Sequence, residues 1–171
     1  MNIALVSTSP PFRGGISEHT KGLYKELSKT HKVRIFSFYY QYPPLFFPGK
    51  KQTTDIPSNI ESTDFTMSSI NPLSWVRTVR EICYFMPDVV IFSYWSPFFA
   101  LCFGFIARKL KRRIGTEKLI SICHNIIPHE KSFIDTILIK YYIKPFNKFV
   151  FMSSFVENEL NFFKTDFKSV V

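Results

Sequence analysis

Hydrophobic positions fall in short unbroken runs, separated by longer stretches in which they recur every three or four residues. The runs are Asn2 to Ser7 (NIALVS), Val33 to Tyr39 (VRIFSFY), PDVVIFSYW from Pro87, Lys118 to Cys123 (KLISIC) and Lys148 to Met152 (KFVFM), with a further one beginning at Phe167 to Val171. Mostly apolar runs of this length, rich in β-branched and aromatic residues, predict strands buried on both faces. The stretches between them predict helices. Behind Gly14-Gly15, Ile16, Leu23 and Leu27 share one face, Lys21, Lys25 and Lys29 another, and Ser17 is the expected N-cap. Leu73 to Phe85 should turn Trp75, Val76, Val79 and Ile82 inward and Arg77 and Arg80 outward, with Pro87 ending it. Phe98 to Lys111 is stopped by Gly115, and Lys131 to Ile143 gathers Phe133, Ile134, Ile137, Leu138 and Tyr141 on one face. Phe155 to Phe163 follows a Ser153-Ser154 cap. About six strands alternating with helices predict an α/β fold with a doubly wound parallel sheet.

Two stretches interrupt the alternation. From Gln41 to Pro72 the chain is rich in Pro, Ser, Thr and Asn and reads as a long irregular loop, with one short apolar patch near Ile60 to Met67 suited to an extra strand. Its tip, Pro43 to Lys51, sets aromatics beside lysines, a combination that suits either a membrane interface or packing over the core. Val89 to Ala107 carries no charge and is long enough to span a bilayer. Ser93 to Pro97 fall in its middle, however, and favour a strand, a turn and an apolar helix whose basic end (Arg108, Lys109, Lys111, Arg112, Arg113) suits the helix dipole.

Composition narrows the classes. The 171 residues, 46% hydrophobic and 18% aromatic, suffice for one domain with a substantial core, so residues 1–171 are expected to form one. A formal charge of +9 calls for an anionic partner: nucleic acid, a phospholipid surface or a phosphorylated small molecule. Nucleic acid fits poorly, because the aromatics sit in buried runs and are not interleaved with arginines for stacking. Cys83, Cys102 and Cys123 match neither a disulfide framework nor a zinc pattern, so no metal site is expected and a cytoplasmic location is. The apolar run after Met1 is too short for a signal peptide.

Candidate chemistry gathers where strands end. Ser9 to His19 (SPPFRGGISEH) leads from the first strand into a helix, and Gly14 and Gly15 would let a phosphate or a sugar approach the backbone; the same residues also suit a plain tight turn. His124-Asn125 ends the KLISIC strand on what the topology makes the same sheet edge, where a histidine could donate to a phosphate or a hydroxyl, or merely tie up loop carbonyls. His129 and Glu130 are weaker candidates. A nicotinamide dehydrogenase is disfavoured, since the first turn lacks GxGxxG and no acidic residue ends the second strand.

The Gly-Gly loop, the PDVV strand entering a tryptophan-containing turn, the strand ending in HNIIPHE, and KFVFMSSFVENEL resemble, in sequence and order, the N-terminal domain of family-4 glycosyltransferases of the GT-B fold. The resemblance covers nearly the whole chain and is least in Gln41 to Pro72. It implies a Rossmann-like sheet forming the acceptor-side half of a two-domain enzyme whose C-terminal domain holds the nucleotide-sugar. It implies further that Gly14 and Gly15 lie against the donor phosphates or the acceptor, and that His124 contacts the transferred sugar. Ile16, Trp95 and Asn125 beside them count among the substrate-binding residues, with Ser154 and Glu157 as weaker contacts. Nothing in the sequence corresponds to the donor-binding domain. The implied activity is therefore half of a retaining, metal-independent sugar transfer for cell-surface polysaccharide, needing no cofactor beyond the nucleotide-sugar co-substrate. The implied partners are a donor-binding domain in a linked or separate chain, a lipid-linked or sugar acceptor, and the anionic inner face of the cell membrane, to which the chain would be peripheral. The alternative is a non-catalytic subunit that binds a membrane surface or a partner.

Overall fold

A computed structural model of the chain describes residues 1–44, 52–53, 60–127 and 132–163, and the backbone of 168–170. Among these described residues are seven strands and five helices, in the order β1 (Asn2–Val6), α1 (Gly15–Leu27), β2 (Lys32–Tyr40), β3 (Thr63–Ser68), α2 (Pro72–Tyr84), β4 (Val89–Tyr94), α3 (Ala100–Ile114), β5 (Leu119–Cys123), α4 (Phe133–Ile143), β6 (Lys148–Phe151), α5 (Ser154–Asn161) and β7 (Lys168–Val170). The strand order is β3-β2-β1-β4-β5-β6-β7. The β1–β2, β2–β3, β5–β6 and β6–β7 pairs are parallel, with Ile3 opposite Val33 and Ser121 opposite Phe149. Strands numbered outward from β1 in one direction and from β4 in the other make this a doubly wound, Rossmann-like sheet. The extra strand anticipated near Ile60 to Met67 is β3, and the uncharged stretch from Val89 resolves into β4, a 3-10 turn at Pro97–Phe99 and α3. Among the described residues no helix is long and apolar enough to cross a membrane. The aromatic tip at 45–51 and the His129-Glu130 pair lie outside the described residues.

By its internal contacts the chain divides into two compact units, Met1–Val90 and Ile91–Val171. The first packs Leu5, Ile35, Phe36, Phe38, Met67, Val79 and Ile82, all at or near zero exposure. Its α2 begins at Asn71, whose side chain accepts from the Leu73 N–H at 3.0 Å, with Pro72 at the first helical position, where a missing N–H costs nothing. The inward face of α2 differs from the expected one. Val76 is 45% exposed, while Ser74, Trp75, Thr78, Val79 and Ile82 are buried. The buried apolar stripe is Trp75, Val79 and Ile82, and Val76 lies a quarter-turn off it. Ser74 and Thr78 go inside because their hydroxyls are satisfied: the Ser68 N–H donates to Ser74 Oγ at 2.9 Å, and Thr78 Oγ1 donates to Thr66 Oγ1 at 2.9 Å. The Trp75 indole donates to the Ser68 carbonyl at 2.6 Å.

The second unit is built on aromatic rings. Phe92 meets Phe146 edge-on at 5.2 Å and Phe103 at 5.9 Å, and Tyr94 stacks on Tyr142 at 4.0 Å. Truncating one such ring to alanine costs about 3–5 kcal/mol. α3 and α4 lie close, since a Cβ on Gly104 would come within 2.6 Å of the Tyr141 ring. Arg108 ties them, donating to the Gly104 carbonyl at 2.9 Å and to the Tyr141 carbonyl, with its guanidinium 3.5 Å from the centre of the Tyr141 ring. Gly115, at φ +90°, ends α3 in a conformation that other residues seldom adopt.

Candidate functional site

In the first unit, β1 delivers the chain through Ser9 to Arg13 into α1. Gly14 is the N-cap, at φ +122° and ψ +164°, and no side chain caps the helix. This corrects the expectation for Ser17, which lies inside the first turn and is 1% exposed. Gly14 takes the N-cap position because its backbone lies in a region essentially confined to glycine. Gly14 and Gly15 are exposed, Ile16 is half-buried, and a Cβ on either glycine would meet nothing within 4 Å. The first-turn N–H groups of α1 are therefore not covered by a capping side chain, the condition under which a helix N-terminus can take an anion. The lysine stripe behind it is exposed and partly paired, Lys21 with Glu18 at 3.5 Å and Lys29 with Glu26.

In the second unit, a hollow of about 290 Å³ is lined by Trp95, Ser96, Pro97, Asn125, Ile127, Phe155 and Glu159. Three elements supply it: the turn after β4, the segment after β5, and α5, which follows β6. It thus sits at the carboxyl ends of parallel strands, where ligands of open α/β sheets bind. Trp95 is half-buried, its ring centre 4.5 Å from that of Phe99 and 5.8 Å from that of Phe103, so core packing fixes its orientation. Ser96 accepts from the Phe98 N–H at 3.3 Å and starts the 3-10 turn, and Pro97 fixes that turn's first φ. Glu159 Oε2 accepts from the backbone N–H groups of Ile126 and Ile127, each at 3.4 Å. Both bonds fall on Oε2. Phe155 is 70% exposed and closes one side.

An indole, a phenyl ring, an amide and a carboxylate together can offer aromatic faces to C–H groups and polar atoms to hydroxyls. The set contains no thiol or histidine. Burial pushes the Cys123 thiol at the end of β5 up to about 12 and raises the Cys102 thiol as well, so neither supplies a thiolate near neutral pH. Among the described residues no group of three His, Cys, Asp or Glu could hold a metal ion.

The structure brings Trp95 and Asn125 together in this hollow. His124, half-buried between Cys123 and Asn125, donates its backbone N–H to the Tyr94 carbonyl at 2.8 Å and does not line the hollow itself. Ser154 and Glu157 share α5 with Phe155 and Glu159 but do not line it either. Sequence reasoning missed Phe155, Glu159, Ser96, Pro97 and Ile127. A usable signal was present for the first two: counted from the Ser153 cap, 155 and 159 are one turn apart on one helix face, whereas 154 and 157 lie on others.

No family model matches the sequence, and no curated protein sequence matches it. Among solved structures, the chain is similar to the catalytic domain of starch synthase IV from Arabidopsis thaliana, bound to ADP and acarbose, with a TM-score of 0.53 and 13% sequence identity. The match covers 99% of this chain and 51% of that one, so the chain spans about half the length of that catalytic domain. The likeness is one of fold: a Rossmann-like α/β sheet that matches half of a GT-B architecture.

Proposed function

We propose that this chain is the acceptor-binding half of a nucleotide-sugar-dependent glycosyltransferase, of the family-4 retaining type, and that it works with a donor-binding domain outside this sequence. The observation that carries the reading is the hollow at the carboxyl ends of β4 and β5, where an indole, an amide and a carboxylate converge. In this reading Trp95 and Phe155 flank a sugar ring of the acceptor, and Asn125 and Glu159 bond its hydroxyls. His124, next in the chain to Asn125, faces the transferred sugar, and the backbone at Gly14, Gly15 and Ile16 lies against a phosphate. Ser154 and Glu157 keep a lesser part in substrate contact. The starch synthase catalytic domain bound to ADP and acarbose is about twice as long as this chain, which supports a two-domain requirement here. A cell-surface polysaccharide, built on the cytoplasmic side of the membrane, is the product class that the sequence resemblance suggests.

The test is carbohydrate binding by the full chain, by titration calorimetry against a panel of oligosaccharides and nucleotide-sugars. Trp95→Ala and Glu159→Gln should each weaken oligosaccharide affinity about tenfold, the size of one lost aromatic face or one charge-assisted hydrogen bond. His124→Ala should leave that affinity nearly unchanged, yet sharply lower turnover once the chain is joined to a donor domain. If no member of the panel binds, or if both hollow variants bind as the parent does, the reading fails.

A further inference from the structure

α5 extends beyond the rim of the hollow. Its inner side is Val156 and Leu160, one turn apart and both buried. Phe155 lines the hollow and is 70% exposed, and Phe162, which caps the helix in helical geometry (φ −62°, ψ −25°), is 74% exposed. Seven residues, almost two full turns, set Phe162 on the same outer line as Phe155 and about 10 Å further along the axis. Phe163, half-buried, meets the Phe162 ring edge-on at 5.4 Å and limits how that ring can turn.

Polar groups occupy the line between the two rings. Asn158, exposed, follows Phe155 by three residues and Glu159, half-buried, by four, so an amide and a carboxylate flank that line. The face alternates ring, polar pair, ring. It carries no cation: α5 (SFVENELN) holds Glu157 and Glu159 and no lysine or arginine. An apolar helix of a partner protein would strip water from the amide and the carboxylate without replacing their hydrogen bonds. An anionic ligand would be repelled by the two carboxylates. A neutral polyhydroxylated chain suits the face, since it brings C–H groups to the rings and hydroxyls to the polar atoms.

We infer that the outer face of α5 is an extension subsite, which binds the second and third units of a neutral oligosaccharide whose first unit occupies the hollow. This rests on the reading of the hollow as a sugar site. Phe155 borders both places, Asn158 bonds hydroxyls of the second unit, and Phe162 stacks on the third. The two rings stand too far apart for one pyranose ring to cover both, so Phe162 contributes only when the ligand is long enough to reach it. The ligand class is therefore an uncharged oligosaccharide of at least three units, and its affinity depends on its length.

The experiment is titration calorimetry of the full chain against oligomers of glucose, mannose and N-acetylglucosamine of increasing length, with galacturonate oligomers of the same lengths as the charged comparison. In a neutral series that binds, affinity should rise about tenfold from the disaccharide to the trisaccharide and then level off. Phe162→Ala should abolish that rise and leave the disaccharide affinity at the parent's value. Phe162→Trp should keep the rise, which a role in folding alone would not produce. Because Phe162 is exposed, the urea midpoint of the alanine variant should match the parent's. If the disaccharide binds and Trp95→Ala weakens it, yet affinity is indifferent to length or to Phe162→Ala, the extension subsite is overturned and the sugar site in the hollow stands. If no oligomer binds, both fall. Tighter binding of the galacturonate series overturns the inference too. So does a dimer in sedimentation equilibrium that Phe162→Ala dissolves, since the face would then be a contact between copies.

Discussion

At the scale of residues, the glycine pair separates into two different requirements. Gly14 sits at φ +122° and ψ +164°, a region that side chains exclude, whereas Gly15 begins α1 with ordinary helical geometry and open space where a Cβ would stand. Gly14→Ala should therefore cost about 1–3 kcal/mol of stability. Gly15→Ala should cost nothing and could add up to about 1 kcal/mol through better helix propensity. Thermal unfolding of the two variants decides it, and equal Tm values would show that the strain argument is wrong. Since Gly15→Ala leaves the fold intact, any ligand affinity it loses reports close approach of that ligand to the backbone. The sequence marked both glycines as one loop because φ follows from how β1 enters α1, which no local pattern encodes. The same holds for the hollow in the second unit. Trp95 and Asn125 were legible as residues ending strands, but Glu159 acquires its place only through bonds to Ile126 and Ile127, more than thirty positions away.

At the scale of elements, the strands were legible to within a few residues because burial on both faces leaves a short, mostly apolar run rich in β-branched and aromatic residues. Helix faces were less so. In α2 the buried set includes Ser74 and Thr78, whose polarity is hidden by bonds to Ser68 and Thr66, and Val76 is displaced outward. α4 is apolar on nearly every side, so its periodicity could not say which face the core would take. The start of α4 is set by Ser132 and Asp135, which form a capping box: the Asp135 N–H donates to Ser132 Oγ at 3.1 Å, and the Ser132 N–H to Asp135 Oδ2 at 2.9 Å. With Phe133 and Ile134 facing outward, 80% and 66% exposed, little packing holds that first turn, and the box carries it. Ser132→Ala should cost about 1 kcal/mol, and locally. In amide hydrogen exchange the first turn should lose protection while Ile139 to Ile143, packed in the core, keep theirs. Unchanged first-turn protection would show that something other than the cap holds the helix start.

At the scale of the whole molecule, the two units carry opposite responses to pH. In the second, burial raises the thiols of Cys102 and Cys123, the latter to about 12, and raises the phenols of Tyr94 and Tyr142 well above 10.0. Cys123 and Ser121, which bonds the Tyr142 hydroxyl at 2.6 Å, belong to the same buried β5. An unfolded chain releases the thiol protons near pH 9.0, while the folded unit retains them. The stability they confer is whole below that pH and is lost as pH rises toward the folded values, at up to about 1.4 kcal/mol per pH unit for each group. In the first unit, burial lowers His19 below 6.5, so its contribution is present above that pH and declines as pH falls. Each unit contains one tryptophan, Trp75 in the first and Trp95 in the second. Urea unfolding followed by fluorescence in Trp75→Phe and Trp95→Phe variants should therefore give two pH profiles. The Trp95 transition should hold steady around neutral pH and move to lower urea above about pH 9. The Trp75 transition should weaken on the acid side, below about pH 6.5. If both tryptophans report one transition at every pH, the chain unfolds as a single cooperative body and the two sensitivities appear superimposed on it. A Trp95 midpoint that stays fixed well above pH 9 would show that the buried thiols and phenols ionise in the folded unit as freely as in the unfolded chain.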